Sequence, residues 1–88
     1  MVSEKLKVTN SQGFHMRPAT LFVNEMAKFS SDVTILFNGN KVNAKSLMNL
    51  IAACIKFGAE IEVQCSGDDE EAALAKAKEL ITSGLGEE

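Results

Sequence analysis

The hydropathy of this chain alternates between two periods, and this alternation limits the folds that it can adopt. Short segments around Leu6, Val33 and Ile61 are apolar at every second residue, as in strands with one buried face. Three other segments repeat apolar residues at intervals of three and four, as amphipathic helices do. With a fourth short strand, the predicted order is β-α-β-β-α-β-α. This order is typical of an α+β fold, a two-layer sandwich with helices on one face of a mainly antiparallel sheet.

Turn-forming residues set the predicted boundaries in the first half of the chain. The first strand is expected to break at Asn10–Gly13. The first helix is predicted from Pro18, whose ring suits a first helical turn, to about Ser30-Ser31. Asn38-Gly39 supplies the two left-handed positions of a tight hairpin. The chain should then return as a strand over Lys41–Ala44.

Capping residues set the boundaries in the second half. Ser46 is predicted as an N-cap of the second helix, and Gly58 as the residue that stops it. The last helix should begin in the acidic run Asp68–Glu71, because negative charge is favourable at a helix N-terminus. Gly84 is expected to end it.

Length and charge exclude several classes of protein. The chain has 88 residues and a net charge of −3, so we expect one domain over residues 1–88 and no affinity for nucleic acid. An RNA-binding α+β domain is disfavoured further because the chain has no Tyr or Trp for base stacking. The longest apolar run, Leu50–Ile55, is too short for membrane insertion. With no signal-peptide pattern at the N-terminus, a cytoplasmic location is the expectation.

No metal or cofactor is expected. Cys54 and Cys65 each fall on an apolar stripe, so both are predicted to be buried free thiols and not a disulfide, metal site or redox sensor. Contiguous carboxylates such as Asp68–Glu71, without a loop signature, are weak evidence for a metal site and are interpreted as a helix start.

A single histidine stands in the string Gly13-Phe14-His15-Met16-Arg17-Pro18-Ala19-Thr20. The helix predicted from Pro18 would direct its positive end and unpaired N–H groups toward His15. Arg17 adds a bidentate phosphate donor two residues away. A nucleophilic imidazole, a guanidinium and a helix N-terminus together favour a phosphoryl site.

This string resembles the active-site motif of HPr, the histidine-containing phosphocarrier family of the bacterial phosphoenolpyruvate-dependent sugar phosphotransferase system. Two more stretches carry the resemblance, the run from Asn38 to Met48 and the sequence Gly58-Ala59-Glu60-Ile61. Together the three cover the chain in the order and spacing of the family. The resemblance implies a four-stranded sheet of order 1-4-2-3.

The resemblance also implies a function. In the family, the histidine matching His15 accepts phosphate on Nδ1 from phospho-Enzyme I and passes it to sugar-specific IIA domains. The arginine matching Arg17 contacts the phosphate and the partners. Such a protein is a phosphorylated carrier that other enzymes act on, and it is not a stand-alone catalyst. A monomer is the simplest expectation.

Ser46 has a structural and a regulatory interpretation, and the two are compatible. The residues Asn43-Ala44-Lys45-Ser46-Leu47-Met48 resemble the regulatory site of HPr from low-GC Gram-positive bacteria. There, HPr kinase/phosphorylase modifies the matching serine, and the product docks the transcription factor of catabolite repression. A phosphate at an N-cap is compatible with the helix dipole. A purely regulatory binding module that acts through Ser46 is therefore the second functional hypothesis.

A partner-binding surface is expected around His15. An apolar patch containing Phe14 is predicted there, because HPr proteins bind several partners through such a patch and methionine suits adaptable contacts. The partner-binding residues implied by the resemblance are Met16, Thr20, Leu47, Met48 and Ile51. The chain departs from the common family pattern at Met16, at Asn49 and over residues 52–57, where Phe57 is unusual directly before Gly58 and is a candidate for an exposed aromatic residue.

Overall fold

The computed structural model describes residues 1–9 and 13–85, and it contains the predicted elements in the predicted order. Their bounds are β1 (Val2–Lys7), α1 (Met16–Met26), β2 (Asp32–Phe37), β3 (Asn40–Asn43), α2 (Leu47–Ala53), β4 (Glu60–Ser66) and α3 (Glu70–Thr82). None of these helices is long and apolar enough to cross a membrane.

The four strands form one antiparallel sheet of order β1-β4-β2-β3, which confirms the order implied by the resemblance. The register places Ile35 opposite both Val63 of β4 and Val42 of β3. All three side chains are buried, so a single row of the sheet carries apolar contacts across three strands. On the other sheet face, Lys5 of β1 stands opposite Glu62 of β4.

The core lies between the helices and one face of the sheet. Phe22 and Met26 of α1 are fully buried, and each such side chain contributes about 1.5–3 kcal/mol relative to exposure. The Phe14 ring packs edge-on against Phe22, with 5.2 Å between ring centroids. Phe14 is therefore part of the core although it directly precedes His15.

The predicted bounds of α1 were wrong at both ends. The helix begins at Met16, two residues before Pro18, so the proline occupies the third position of the first turn, where its missing N–H is also tolerated. The helix ends at Met26. Beyond it, the Phe29 N–H bonds the Met26 carbonyl three residues back, and the Lys45 ammonium donates to the Phe29 carbonyl at 2.6 Å. These contacts replace the α-helical pattern with a tighter turn before Ser30.

The second helix also ends earlier than predicted. Cys54 adopts a left-handed conformation with φ of 56°, so α2 stops at Ala53, well before Gly58. This turn directs Ile55 into the core and leaves the Cys54 thiol exposed. The prediction that Cys54 is buried was therefore wrong. The prediction for Cys65 is confirmed, and burial raises the pKa of its thiol.

The predicted hairpin and strand boundaries agree closely with the structure. Asn38 and Gly39 have φ of 53° and 80°, as a tight hairpin turn requires. The strand after it, β3, spans Asn40–Asn43, one residue earlier than predicted. Of the predicted break at Asn10–Gly13, only Gly13 lies within the described residues.

The acidic run before α3 has a structural role that the sequence analysis did not predict. The Asp69 carboxylate accepts hydrogen bonds from the Ser30 and Ser31 N–H groups, both at 2.9 Å, and from the Ser31 hydroxyl. These bonds, the hydroxyl's foremost, lower the pKa of Asp69 to about 2. The Glu70 carboxylate accepts from the Gly67 N–H, which also lowers its pKa. The hydrogen bonds of Asp69 thus link the start of α3 to the turn before β2.

Candidate functional site

His15 occupies the N-cap position of α1. Its backbone is extended, with φ of −76° and ψ of 178°, and its carbonyl accepts the first helical hydrogen bond from the Ala19 N–H at 2.8 Å. Its side chain is exposed and makes no capping bond. The imidazole therefore lies at the N-terminus of α1, and it makes no hydrogen bond or ion pair with any residue that the structure describes.

The first turn of α1 offers unused hydrogen-bond donors. Within residues 1–9 and 13–85, the N–H groups of Met16 and Arg17 bond no acceptor, and Pro18 has no N–H. No acidic residue lies in this turn. The positive end of the helix dipole is consequently left for an external anion.

The loop before His15 is held by backbone contacts with the chain after α2. The Phe14 N–H donates to the Ile55 carbonyl at 2.8 Å. Gly13 has φ of 63°, and a Cβ added there would lie 2.4 Å from that same carbonyl oxygen. Only glycine combines this conformation with such a close approach, so Gly13 is required for the position of His15.

Two further hydrogen bonds extend this contact. The Val8 N–H donates to the Ala59 carbonyl at 2.9 Å, and the Gly58 N–H donates to the Val8 carbonyl at 2.8 Å. The loop that follows α2 is thereby fixed against the end of β1 as well as against the His15 loop.

These contacts form an open groove beside the histidine, here called the His15 groove. Its volume is about 660 Å³. Most of its accessible lining is apolar, and Phe57 and Met16 are 65% and 53% exposed. Its lining residues are Phe14, His15, Met16, Ile51, Cys54, Ile55, Lys56 and Phe57.

Arg17 lies in a neighbouring depression, here called the Arg17 hollow. It is exposed and makes no ion pair with any residue in the described part of the chain. Met16 lines both the hollow and the His15 groove, so the two form one continuous surface. The other lining residues of the hollow are Pro18, Thr20, Leu21, Asn24 and Leu85.

The structure brings together some of the predicted partner-binding residues. Met16 and Ile51 line the His15 groove, and Thr20 lines the Arg17 hollow, where its hydroxyl donates to the Met16 carbonyl at 2.7 Å. Leu47 packs half-buried against the core and lines neither depression. Met48 is 74% exposed at the start of α2 and also lines neither. Phe14, which was predicted to belong to the apolar patch around His15, lines the His15 groove, although its ring is buried.

Ser46 is the N-cap of α2, as predicted. Its hydroxyl oxygen accepts from the Asn49 N–H at 3.3 Å, and its carbonyl accepts from the Leu50 N–H. The helix rises about 1.5 Å per residue, so Ser46 lies roughly 12 Å along the axis from Cys54, which lines the His15 groove. Ser46 and the groove thus occupy opposite ends of α2.

Cys54 and Lys56 line the His15 groove but were not predicted as site residues. Their position depends on the early end of α2 and on a backbone contact between residues about forty apart in the sequence. Phe57 was predicted to be exposed but not to border the site. The one signal in the sequence was an aromatic residue directly before Gly58, where a turn was expected. No group of three or more His, Cys, Asp or Glu side chains suited to a metal ion occurs in the described part of the chain.

Comparison with known proteins gives matches along nearly the whole chain. Residues 2–83 match the family described as "PTS HPr component phosphorylation site". The HPr-like protein Crh of Bacillus subtilis is 43% identical over 76 residues, which span 86% of this chain and 89% of Crh. The phosphocarrier protein HPr of Mycoplasma capricolum is 42% identical over 74 residues, 84% of this chain and 83% of that protein.

The fold also matches solved structures over nearly the whole chain. HPr-C-His from Thermoanaerobacter tengcongensis superposes with a TM-score of 0.96 at 39% identity, covering 100% of this chain and 99% of that one. A crystal structure of Crh from B. subtilis, an intertwined dimer with a swapped domain, matches with a TM-score of 0.77 at 40% identity and covers 94% of this chain and 95% of that one.

Proposed function

Because the chain belongs to the HPr phosphocarrier family, we propose that His15 accepts a phosphoryl group from phospho-Enzyme I and passes it to sugar-specific IIA domains. One observation carries the proposal. The only histidine of the chain lies at the N-terminus of α1, exposed and without a capping bond, beside N–H groups that bond no described acceptor. A structural histidine would be expected to use its ring nitrogens within the fold.

The transfer requires a neutral imidazole nitrogen on His15. Its lone pair attacks phosphorus, the N–P bond forms, and the bond between phosphorus and the donor breaks with its electron pair returning to the donor. Onward transfer to a IIA domain reverses these roles, so His15 becomes the leaving group. The N–H groups of Met16 and Arg17 are available to donate to the phosphoryl oxygens in both steps.

Arg17 adds charge to the same end of the helix. Its guanidinium has no carboxylate partner among residues 1–9 and 13–85, so no ion pair competes with a phosphoryl group for it. A planar guanidinium binds two oxygens at once, which an ammonium does not. Arg17→Lys should therefore transfer phosphate more slowly than the wild type.

The openness of the site favours a carrier over a stand-alone catalyst. A carrier must offer its phosphorylated residue to more than one protein, and His15 lies in an open groove that macromolecular partners can reach. A buried pocket that encloses a small substrate would serve the opposite purpose. The proposal places this exchange in the cytoplasm.

Regulation through Ser46 is the second proposed role. The Ser46 hydroxyl lies at the end of α2 away from the His15 groove, half-buried but on the surface. Crh, a relative described as a catabolite repression protein, supports this role by its similarity. Incubation with purified HPr kinase/phosphorylase and ATP should label the wild type but not Ser46→Ala, and absence of labelling would contradict this role. Labelled protein should also dock the transcription factor of catabolite repression.

The proposed functional unit is a monomer, since one chain contains the histidine, the arginine and the groove. The swapped Crh dimer and an HPr dimer from T. tengcongensis make the alternative concrete. Sedimentation equilibrium should give the mass of one chain, and the mass of two would contradict the monomer.

The test of the carrier role uses phosphoenolpyruvate and Enzyme I. The wild type should gain one acid-labile phosphoryl group by intact mass, and His15→Ala should gain none. Both should unfold at the same urea concentration, because the His15 side chain is exposed and uncapped. Equal labelling of the two proteins, or none with Enzyme I active on a control HPr, would contradict the proposal.

A further inference from the structure

We infer that Phe57 and Lys56 form an additional anchor for the proteins that exchange phosphoryl groups with His15, and that this anchor takes an apolar side chain flanked by carboxylates. The inference rests on the proposed function, since it concerns the partners of that same site. Neither residue belongs to the surface that the family resemblance implied.

Phe57 is the exposed exception among the aromatic residues. The chain has five phenylalanines, and the other four are buried or packed against the core. A phenylalanine that is 65% exposed makes few contacts that would stabilise the fold. It lies on the His15 groove, where Met16 adds a second exposed apolar side chain. Contiguous exposed apolar surface of this kind marks interaction sites.

The backbone that presents Phe57 is fixed before any partner binds. The Ala59 N–H donates to the Lys56 carbonyl at 3.0 Å, which closes a turn around Phe57, and the Gly58 N–H donates to Val8. Ile55, one residue before Lys56, is buried in the core. A side chain on such a turn loses little further backbone freedom on binding, which favours affinity.

The occupant of the groove follows from the chemistry of transfer. Direct transfer requires the phosphorus and the atom that attacks it to lie about 3–3.5 Å apart, so a partner must lie against His15 itself. A specific interface covers about 800 Å² on each protein, far more than the imidazole alone. Since His15 and Phe57 line the same groove, a partner placed on His15 also covers Phe57.

Charge gives the chemistry of that partner. Lys56 is the one permanently charged residue that lines the His15 groove, and Arg17 is the one that lines the adjoining hollow. No carboxylate lines either depression among the described residues, although Glu60 lines a separate depression with Lys56 and Phe57. The surface around His15 is therefore locally positive on a chain of net charge −3. A partner surface that offers an apolar contact to Phe57 and carboxylates to Lys56 complements this positive surface.

The experiment measures steady-state phosphoryl transfer from Enzyme I to this protein, and from this protein to a IIA domain, for the wild type and Phe57→Ala. For at least one of the two partners, Phe57→Ala should raise KM by about tenfold with kcat unchanged, as expected when a buried aromatic anchor is lost. Lys56→Ala should raise KM less, by about threefold, and the difference should shrink at high salt.

Two variants on the sheet face that points away from the core serve as matched controls. Leu36→Ala removes apolar surface and Lys41→Ala removes a positive charge, and neither residue lines the His15 groove. Both should transfer with the wild-type KM. Urea unfolding of Phe57→Ala should match the wild type, because the side chain is mostly exposed.

Unchanged KM for both partners in Phe57→Ala, with the wild type fully phosphorylated, would overturn the anchor and leave the carrier function intact. A fall in kcat alone would also overturn it, because Phe57 would then act on the position of His15. A wild type that accepts no phosphate would overturn the carrier function, and the anchor with it.

Discussion

Two helices of this protein begin in opposite ways, although both present the same positive dipole at their N-termini. The first turn of α3 carries Glu70 and Glu71, and its N-cap carboxylate, Asp69, accepts three hydrogen bonds from the turn before β2. The first turn of α1 has no acidic residue, and the side chain of its N-cap, His15, makes no capping hydrogen bond. One helix start is filled by the chain's own anions, and the other is left open.

The difference separates stability from function. At α3, Asp69 and Glu70 contribute to the fold, because each bonds a partner in the same molecule. At α1, the N–H groups of Met16 and Arg17 and the Arg17 guanidinium bond no other group among the described residues, so they contribute little to the fold and remain available to an incoming phosphoryl group.

The difference between the two helix starts is tested most directly by giving α1 an acidic first turn. Arg17→Glu replaces the guanidinium by a carboxylate, which interacts favourably with the positive end of the helix dipole and repels phosphate. Transfer from Enzyme I should fall at least about 100-fold, while stability rises by about 0.3–1 kcal/mol. Rapid-quench transfer assays and urea unfolding measure the two effects. A loss of both activity and stability would contradict an open helix start.

The position of the open helix start is tested at Gly13. Gly13→Ala places a Cβ against the Ile55 carbonyl at a residue with positive φ, and should cost about 3 kcal/mol of unfolding free energy and slow transfer. Gly39→Ala is the matched control, because Gly39 also has positive φ but nothing lies within 4 Å of its Cβ position. It should cost only about 1 kcal/mol and leave transfer unchanged. Equal costs for the two variants would show that the close approach is unimportant.

The filled helix start is tested by the pH dependence of stability. The pKa of Asp69 is about 2 in the folded protein, below its ordinary value of 3.8, so its ionised form stabilises the fold above about pH 4. This contribution should be lost as the pH falls from about 4 to 2. Asp69→Asn should be less stable than the wild type at pH 7, and the gap should close over that range in urea unfolding. Asp68→Asn, which alters an exposed carboxylate of the same run, should leave the profile unchanged. A gap that persists at pH 2 would contradict the role of the charge.

The sequence was sufficient to predict the elements and the position of His15 and Arg17 at the start of α1. Each strand and helix has its own apolar period, and the turn at Asn38-Gly39 and the N-cap at Ser46 depend on local residues only. His15 and Arg17 are likewise adjacent in the chain, so their proximity to one helix start needed no tertiary information.

The surroundings of His15 could not be predicted in this way. The apolar period of α2 continues through Ile55, whereas the helix stops because Cys54 turns left-handed, an event without a periodic signal. The contact of Gly13 with Ile55 joins two loops distant in sequence, and it is this contact that places Phe57 beside His15. Pairing between loops depends on tertiary structure, and local patterns do not encode it.

The most direct test of the account is onward transfer. Wild-type protein phosphorylated by Enzyme I is separated from the enzyme and mixed with an excess of a IIA domain, and the intact masses of both proteins are followed with time. The account predicts that one phosphoryl group leaves this protein and appears on the IIA domain at a matching rate. Retention of the group on this protein, or its release as inorganic phosphate without labelling of a IIA domain that a control HPr phosphorylates, would contradict the carrier function.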